Sequence, residues 1–404
     1  MEKSKCIWII NQYVGSPLHG MEYRHYYLAE EMVKTGHKVV VISGSYSHLY
    51  SKLPLVSDKF SFENINGIEY CWVKVPPYGK STSIKRIFNM LVFTWKLFSL
   101  PQKKMSKPDA VYVSSPSLFP ILFASRIAKK YKAKLLFEVR DIWPLTLQEL
   151  GNLSSKHPLI FFLQWFENYA YRKADKVISV LPGAKEHMVQ HGMNPQKFVC
   201  IPNGIATSDT NVNKSAAQTI LNKIPPGKFV VGYTGSMGVS NALDYFMQAA
   251  RELKINSEIL FVLVGKGEEK QNLREYAKDL NNVLFFDAVP KDAVQLIIER
   301  FDVCYIGWKK EALYRFGISA NKIFEYMYSG KPVLHAVSAF NDPVADARCG
   351  ISVEAENVKE IVNAVKKLSV MSSEQLNSLG KNGREFVIKN HSYQALAAKV
   401  VELI

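Results

Sequence analysis

Tyr314-Arg-Phe-Gly-Ile-Ser-Ala-Asn-Lys-Ile-Phe-Glu-Tyr-Met-Tyr-Ser-Gly-Lys-Pro-Val-Leu334 reads as a loop, a helix, a glycine stop and a strand. Ser319 is placed to cap the helix, and Gly330 ends it. A helix N-terminus offers unpaired backbone N–H groups and the positive end of a dipole. The N–H groups of Ala320, Asn321 and Lys322, with the Lys322 charge beside them, suit a diphosphate. Glu325 lies one turn further on, where a carboxylate can accept both hydroxyls of a ribose. The same residues also describe a capped surface helix with an i,i+3 Lys–Glu pair.

On both sides of this segment, short apolar runs alternate with amphipathic stretches. In the second half, strands are expected at Phe229–Tyr233, Ile259–Val264, Val283–Phe286, Val303–Ile306 and Pro332–His335. Helices are expected near 242–254, 268–280, 291–299, 321–329, 357–368 and 373–389. The first half repeats the pattern. Its strands are Cys6–Ile10, Lys38–Ser43, Ala110–Ser114, Lys134–Val139, Lys176–Val180 and Phe198–Ile201, with helices near 22–35, 118–131 and 158–173. Such alternation predicts α/β architecture with mostly parallel sheets covered on both faces. Two doubly wound, Rossmann-like domains facing across a cleft are expected. Residues 1–205 form the first and 228–390 the second. The polar stretch 206–227 reads as a linker, and 391–404 as a C-terminal helix that is a candidate to cross back to the first domain.

The chain has 404 residues and a net charge of +15. Residues 1–200 carry +13 of it, as 27 Lys and Arg against 14 Asp and Glu. An acidic partner is therefore expected on the first half. Cys6, Cys71, Cys200, Cys304 and Cys349 are far apart and include no Cys-x-x-Cys pair, which predicts no disulfide framework, no zinc site and a reducing compartment. His187, His191 and His335 are read as lacking ligand spacing, so no metal is expected. Cys6–Ile10 reads as a buried strand, so neither a secretory signal nor a membrane span is expected. Helix-turn-helix, RNA-recognition and zinc-finger signatures are absent, so nucleic acid is not expected.

The quoted segment resembles the nucleotide-binding motif of retaining family 4 glycosyltransferases of the GT-B fold. It is most similar to the bacterial surface-polysaccharide branch that includes L-fucosamine transferases. The resemblance runs through His19-Gly20, Gly36-His37, Phe137-Glu-Val-Arg-Asp-Ile-Trp-Pro144, Ile201-Pro-Asn-Gly204, Gly232-Tyr-Thr-Gly235 and Val264-Gly-Lys-Gly267, in the family's order. It implies a nucleotide-sugar donor, UDP-linked, bound by Gly235, Gly265, Lys266, Gly267, Ala320, Asn321, Lys322 and Glu325; Ser319, as the helix cap, and Arg315, as a nearby cation, join these as donor-site candidates. It places Gly20 in the loop where acceptor and sugar meet. Glu22 and Arg24 open the first helix and are candidates to touch an acceptor phosphate; a solvated first turn is the other reading of Glu22. Arg140-Asp141 stands where many relatives carry a sugar-contacting His, and with His19 it forms the catalytic candidate set. No further cofactor is implied, and no Asp-x-Asp metal motif is present. Two departures stand out. Gly317 replaces the Glu that many relatives place eight residues before the ribose-binding one. Ser236-Met237-Gly238 follows Gly235, where many relatives carry an Arg and a Lys. Lys322, Arg315 and Lys266 are left to neutralise the diphosphate.

Lys80–Lys107 interleaves Lys80, Lys85, Arg86, Lys96, Lys103, Lys104 and Lys107 with Ile84, Ile87, Phe88, Leu91, Trp95 and Phe98 on one helical stripe. Lys85, Arg86, Trp95, Lys103 and Lys104 are expected at an anionic membrane surface. Leu159–Phe166 is read as core. The expected function is transfer of a sugar, an N-acetylated amino sugar in the branch it resembles, to a lipid-linked saccharide acceptor. The enzyme would be cytoplasmic and peripheral on the inner face of the cell membrane. A GT-B epimerase or hydrolase, or a non-catalytic membrane scaffold, is the alternative.

Overall fold

The computed structural model describes residues 4–20, 23–79, 84–151, 153–207 and 214–404. The candidate Glu22 and the first basic residue of the membrane stretch, Lys80, lie outside them. Two compact units are present: Met1–Asn203 with Tyr393–Ile404, and Gly204–Ser392.

The first unit runs β1 (Cys6–Ile10), α1 (Arg24–Lys34), β2 (Lys38–Gly44), β3 (Phe60–Ile65), β4 (Ile68–Val73), α2 (Ile84–Leu97), β5 (Ala110–Ser114), α3 (Ile121–Tyr131), β6 (Lys134–Val139), α4 (Leu145–Glu149), α5 (Pro158–Lys173), β7 (Lys176–Ser179), α6 (Lys185–Gln190) and β8 (Phe198–Cys200). Its eight strands are ordered β3-β4-β2-β1-β5-β6-β7-β8. All neighbours are parallel except the edge pair β3 and β4. Parallel strands covered on both faces need unbroken apolar runs; β1 is Cys-Ile-Trp-Ile-Ile and every residue is buried. The β3–β4 hairpin was not expected. Its turn is Asn66-Gly67, with φ of 51° and 81°, the pair of positive values a type I′ turn demands.

The second unit runs α7 (Lys214–Leu221), β9 (Phe229–Thr234), α8 (Leu243–Glu252), β10 (Ile259–Val264), α9 (Lys270–Tyr276), β11 (Val283–Phe286), α10 (Lys291–Glu299), β12 (Val303–Gly307), α11 (Asn321–Tyr328), β13 (Val333–Ala336), α12 (Pro343–Ala347), β14 (Gly350–Val353), α13 (Val358–Ser369) and α14 (Ser373–His391). Its sheet is wholly parallel, in the order β11-β10-β9-β12-β13-β14. Two apolar clusters cover its two faces.

One boundary differs from the sequence reading. The 206–227 stretch is not simply a linker: α7 lies within it and packs on α10, burying Ala217, Ile220 and Ile224. The chain returns to the first unit after Ser392, and α15 (Tyr393–Val401) packs on α1, with the Tyr27 and Tyr393 rings 5.0 Å apart. Leu159–Phe166 is only half core. Ile160, Leu163 and Phe166 are buried, whereas Phe161, Phe162 and Trp165 are exposed. The helical period sends these three aromatics outward.

Candidate functional site

Strand order locates the site of the second unit. From β9 the chain winds outward to β10 and β11, then crosses back to β12 and continues to β14. The switch point lies between β9 and β12, where doubly wound sheets leave a crevice beyond the strand ends. Thr234-Gly235 ends β9 there, and Gly307 ends β12.

The loops at this edge are packed backbone to backbone. Gly235 N donates to Val264 O at 2.9 Å, and Met237 N donates to Lys266 O at 2.8 Å. A Cβ on Gly265 would fall 1.8 Å from Gly235 O, and one on Gly267 would fall 2.3 Å from Met237 O. Glycine is therefore required at both positions by close approach. Lys270, which the sequence reading passed over, fixes this loop through 2.9 Å to Gly265 O and 2.8 Å to Phe286 O.

Helix α11 is anchored to the same edge. Tyr326 accepts from Thr234 N at 2.7 Å and donates to Thr234 O at 3.1 Å. That anchoring brings Lys322 against Gly235: a Cβ there would meet Lys322 Cε at 2.8 Å. Lys322 Nζ donates to the Tyr233 hydroxyl at 2.6 Å and to Asn241 Oδ1 at 3.2 Å. Both partners are neutral. Burial pushes the Lys322 ammonium down to about 7 against the opposing pull of Glu325. A partly desolvated cation hydrogen-bonded to neutral groups is costly unless an anion joins it.

One expectation about α11 is corrected. Its N-cap is Ala320 rather than Ser319, and no side chain caps it. Glu325 is partly exposed, with Lys291 Nζ 3.9 Å from its carboxylate. Among the other candidates, Lys266 is exposed. Arg315 stacks on Phe316 at 4.4 Å and donates to Ala312 O at 2.6 Å. The structure thus groups Gly235, Gly265, Gly267 and Lys322 tightly, and adds Tyr233, Asn241 and Lys270.

In the first unit, Arg24 and His19 are placed differently from their expected roles. Arg24 is buried and does not present its guanidinium as an open acceptor contact. Its Nε donates to Glu138 Oε1 at 2.9 Å, and its terminal nitrogens bond Pro202 O at 2.6 Å and Ile201 O at 2.9 Å. Glu138 also meets His25 at 2.7 Å and Ser114 at 2.6 Å, and accepts from Tyr112. Burial alone would raise the Glu138 carboxyl, but Arg24 and His25 hold it well below the usual carboxylate range. Helix α1 is thereby tied to β6 and to the end of the first unit. The His19 ring is buried: its nitrogens lie 3.0 Å from Lys52 O and 3.0 Å from Glu63 Oε2. Gly20 keeps its loop position, with φ of 78° and Ser51 packed where a Cβ would stand. Arg140 and Asp141 follow β6, with Arg140 N bonded to Ser115 Oγ at 2.9 Å. Asp141 is exposed.

The first unit also exposes large apolar side chains on two helices. Phe88, Leu91, Trp95 and Phe98 at α2 are exposed, as are Phe161, Phe162 and Trp165 on α5. Lys85, Lys103 and Lys104 are exposed. Arg86 is instead turned onto the Tyr13 ring, 5.2 Å from its centroid. A groove beside α3 and α5 is lined by Arg126, Lys129, Lys132, Lys134 and Lys173. Among the described residues, no helix is long and apolar enough to cross a membrane.

Two units built on Rossmann-like parallel sheets define the GT-B glycosyltransferase fold. Residues 19–204 match a glycosyl transferase 4-like domain, and residues 228–371 match a glycosyl transferases group 1 domain. The chain belongs to the family 4-like glycosyltransferases that combine these two domains. Solved structures agree on the fold. Sucrose-phosphate synthase from Thermosynechococcus elongatus is 16% identical, with a TM-score of 0.72, covering 99% of this chain and 98% of that one. HepE from Anabaena, solved with UDP and glucose, is 15% identical, with a TM-score of 0.63 and 98% coverage of both chains. WaaG, a glycosyltransferase involved in lipopolysaccharide biosynthesis, is 17% identical, with a TM-score of 0.65 and 99% coverage of both. No curated protein matches the sequence.

Proposed function

We propose that the chain transfers a sugar from a nucleoside diphosphate donor, UDP-linked, to a lipid-linked saccharide acceptor at an anionic membrane. The observation that carries this reading is Lys322, a partly buried cation with neutral hydrogen-bond partners at the N-terminus of α11 and the switch point of the sheet. A diphosphate beside it would supply the missing anion. Gly235, Gly265 and Gly267 would let the backbone close on the nucleotide, and Glu325 would take the ribose hydroxyls. HepE, with UDP and glucose bound, is a structural relative that supports this choice of donor.

In the proposed reaction the bond from the anomeric carbon to the donor phosphate oxygen breaks. A bond from the same carbon to the acceptor hydroxyl oxygen forms on the same face, with retention. The hydroxyl proton passes to the departing phosphate. Negative charge grows on that phosphate, so fixed N–H donors and Lys322 stabilise the transition state more than the ground state. This needs no metal at the diphosphate. Arg140 and Asp141 would contact the transferred sugar. The acceptor reading rests on the basic first half and the exposed aromatics of α2 and α5. These suit partial insertion at a lipid interface, on the inner face of the cell membrane. A role in surface polysaccharide assembly, with an N-acetylated amino sugar as the transferred group, completes the proposal.

The test is calorimetric titration with UDP. Glu325→Ala should bind at least about tenfold more weakly, since a charge-assisted hydrogen bond contributes about 1.5–3 kcal/mol. Unchanged affinity in a folded variant would remove the ribose assignment. Product analysis with donor alone should show neither hydrolysis nor epimerisation at the rate seen with membrane extract.

A further inference from the structure

We propose that the first unit holds a binding site for a divalent transition-metal ion of the zinc type, formed by Glu167 on α5 with His187 and His191 at α6. The sequence reading gave these histidines no ligand spacing. On a helix, however, residues four apart share a face, and here they stand beside a buried carboxylate. One ligand atom from each residue lies within 4.8 Å of the other two.

Three observations support a metal site over a plain His–Glu contact. First, His187 Nε2 and Glu167 Oε1 are 3.4 Å apart. Charge-assisted N–H···O bonds run at about 2.7–2.9 Å, and the same unit contains one, His25 to Glu138 at 2.7 Å. Two ligands of a tetrahedral ion with bonds of about 2.0–2.1 Å stand about 3.3 Å apart. Second, the ligands are oriented by outer partners, as metal ligands usually are. His191 Nδ1 lies 2.8 Å from His187 O; donating there leaves the lone pair on Nε2. Tyr171 donates to Glu167 Oε1 at 2.7 Å, and Gln164 donates to Oε2. Third, the rings of His187 and His191 are 4.2 Å apart and tilted by 33°, so the two imidazoles stand side by side.

Two imidazoles and one carboxylate favour zinc, cobalt or nickel over magnesium or calcium, which take oxygen ligands. Three protein ligands leave a fourth position for water. The bound ion would join α5 to α6. None of the three residues belongs to the donor-site candidates, so this proposal can fail or stand independently of the proposed reaction.

The experiment uses the full chain, treated with EDTA and desalted. Zn²⁺ is titrated by calorimetry, and Co²⁺ by visible absorption. One equivalent should bind, with visible cobalt bands of a nitrogen and oxygen site and no thiolate-to-cobalt charge transfer. His191→Ala and His187→Ala should each weaken binding at least about tenfold, while Cys200→Ser leaves it unchanged. Glu167→Gln, which keeps hydrogen-bonding capacity at the buried position, serves if a histidine variant fails to fold, and should also weaken binding. Zn²⁺ should raise the thermal midpoint of the native chain but not of the double histidine variant. Absence of saturable binding would overturn the proposal. So would binding that a folded double histidine variant retains, or a thiolate cobalt spectrum.

Discussion

Lys322 yields the sharpest prediction, because its charge state must change when the donor binds. Its ammonium is pushed from an ordinary 10.5 to about 7 by burial. At pH 8.5 the free enzyme then carries this lysine almost wholly neutral. A diphosphate beside it restores the charged form, so binding should take up about 0.9 proton at that pH. The free nucleotide is already fully ionised there and contributes no proton. The assay is calorimetry of UDP binding in buffers of different ionisation enthalpy, at pH 8.5 and again near pH 6. Uptake due to the lysine should fall toward zero at the lower pH, where the free enzyme already holds the proton. The same shift has a stability consequence. The unfolded chain binds more protons than the folded one between pH 7 and pH 10.5, so the lysine's penalty is full below about 7 and fades as pH rises. The whole shift corresponds to a penalty on the order of 5 kcal/mol. Lys322→Met should therefore make the unliganded protein more stable near neutrality, while weakening UDP binding about 30- to 150-fold, or about 2–3 kcal/mol. Negligible proton uptake at pH 8.5, or unimpaired UDP binding by the methionine variant, would refute the reasoning.

The remaining predictions concern the scaffold and the surface. Glu138→Gln leaves Arg24 buried without its carboxylate and should destabilise the protein by about 3–5 kcal/mol in urea unfolding. Because Glu138 is held below its usual 4.5, its contribution is present above that value and lost as pH falls through the folded one; the variant's stability should therefore depend less on pH across the acid range. Gly235→Ala places a methyl 2.8 Å from Lys322 Cε at φ of 132°. It should cost about 1–3 kcal/mol of stability and lower UDP affinity by displacing the lysine. Charge reversal at Lys85, Lys103 and Lys104 should reduce sedimentation with phosphatidylglycerol vesicles at low salt, at about 1 kcal/mol per basic residue near the surface. Unchanged sedimentation would remove the membrane assignment.

Most of the architecture is legible because parallel strands need long apolar runs, and these stand out against amphipathic helices. The β3–β4 hairpin was missed although Asn66-Gly67 signals it locally, because its strands mix polar and apolar residues. The second unit's glycines and Lys322 are legible as a motif. Their packing is not, since nothing in the sequence says that Tyr326 will anchor α11 to Thr234 and swing Lys322 against Gly235. Arg24 was misread for a similar reason. A cation opening a helix suggests a phosphate contact, but the carboxylate that claims it, Glu138, lies 114 residues away. Nothing in the alternation along β6 reveals that Glu138 gathers Arg24, His25, Tyr112 and Ser114.

Arg24 and Lys322 together show how to tell a structural cation from one that awaits a ligand. Arg24 is buried and Lys322 partly buried, and both lie near the carboxyl ends of parallel strands. Arg24 is charge-compensated by Glu138 and hydrogen-bonded to Pro202 O and Ile201 O, so binding an anion there would first require breaking a satisfied network. Among the described residues, Lys322 hydrogen-bonds to a phenol and an amide. The segment after Gly235 shows why this cation must come from α11. Met237 is buried, and its backbone is bonded to Lys266, while Ser236 O accepts from both Tyr233 and Asn241. In this loop the Met237 side chain serves the core, so a cation in its place would have to repack Leu243 and its apolar neighbours. Moving the charge to the first turn of α11 instead aligns it with the helix dipole's positive end, where it adds to the attraction for a diphosphate. Like-signed dipole and charge raise the cost of the empty site, and that same repulsion is relieved when an anion binds.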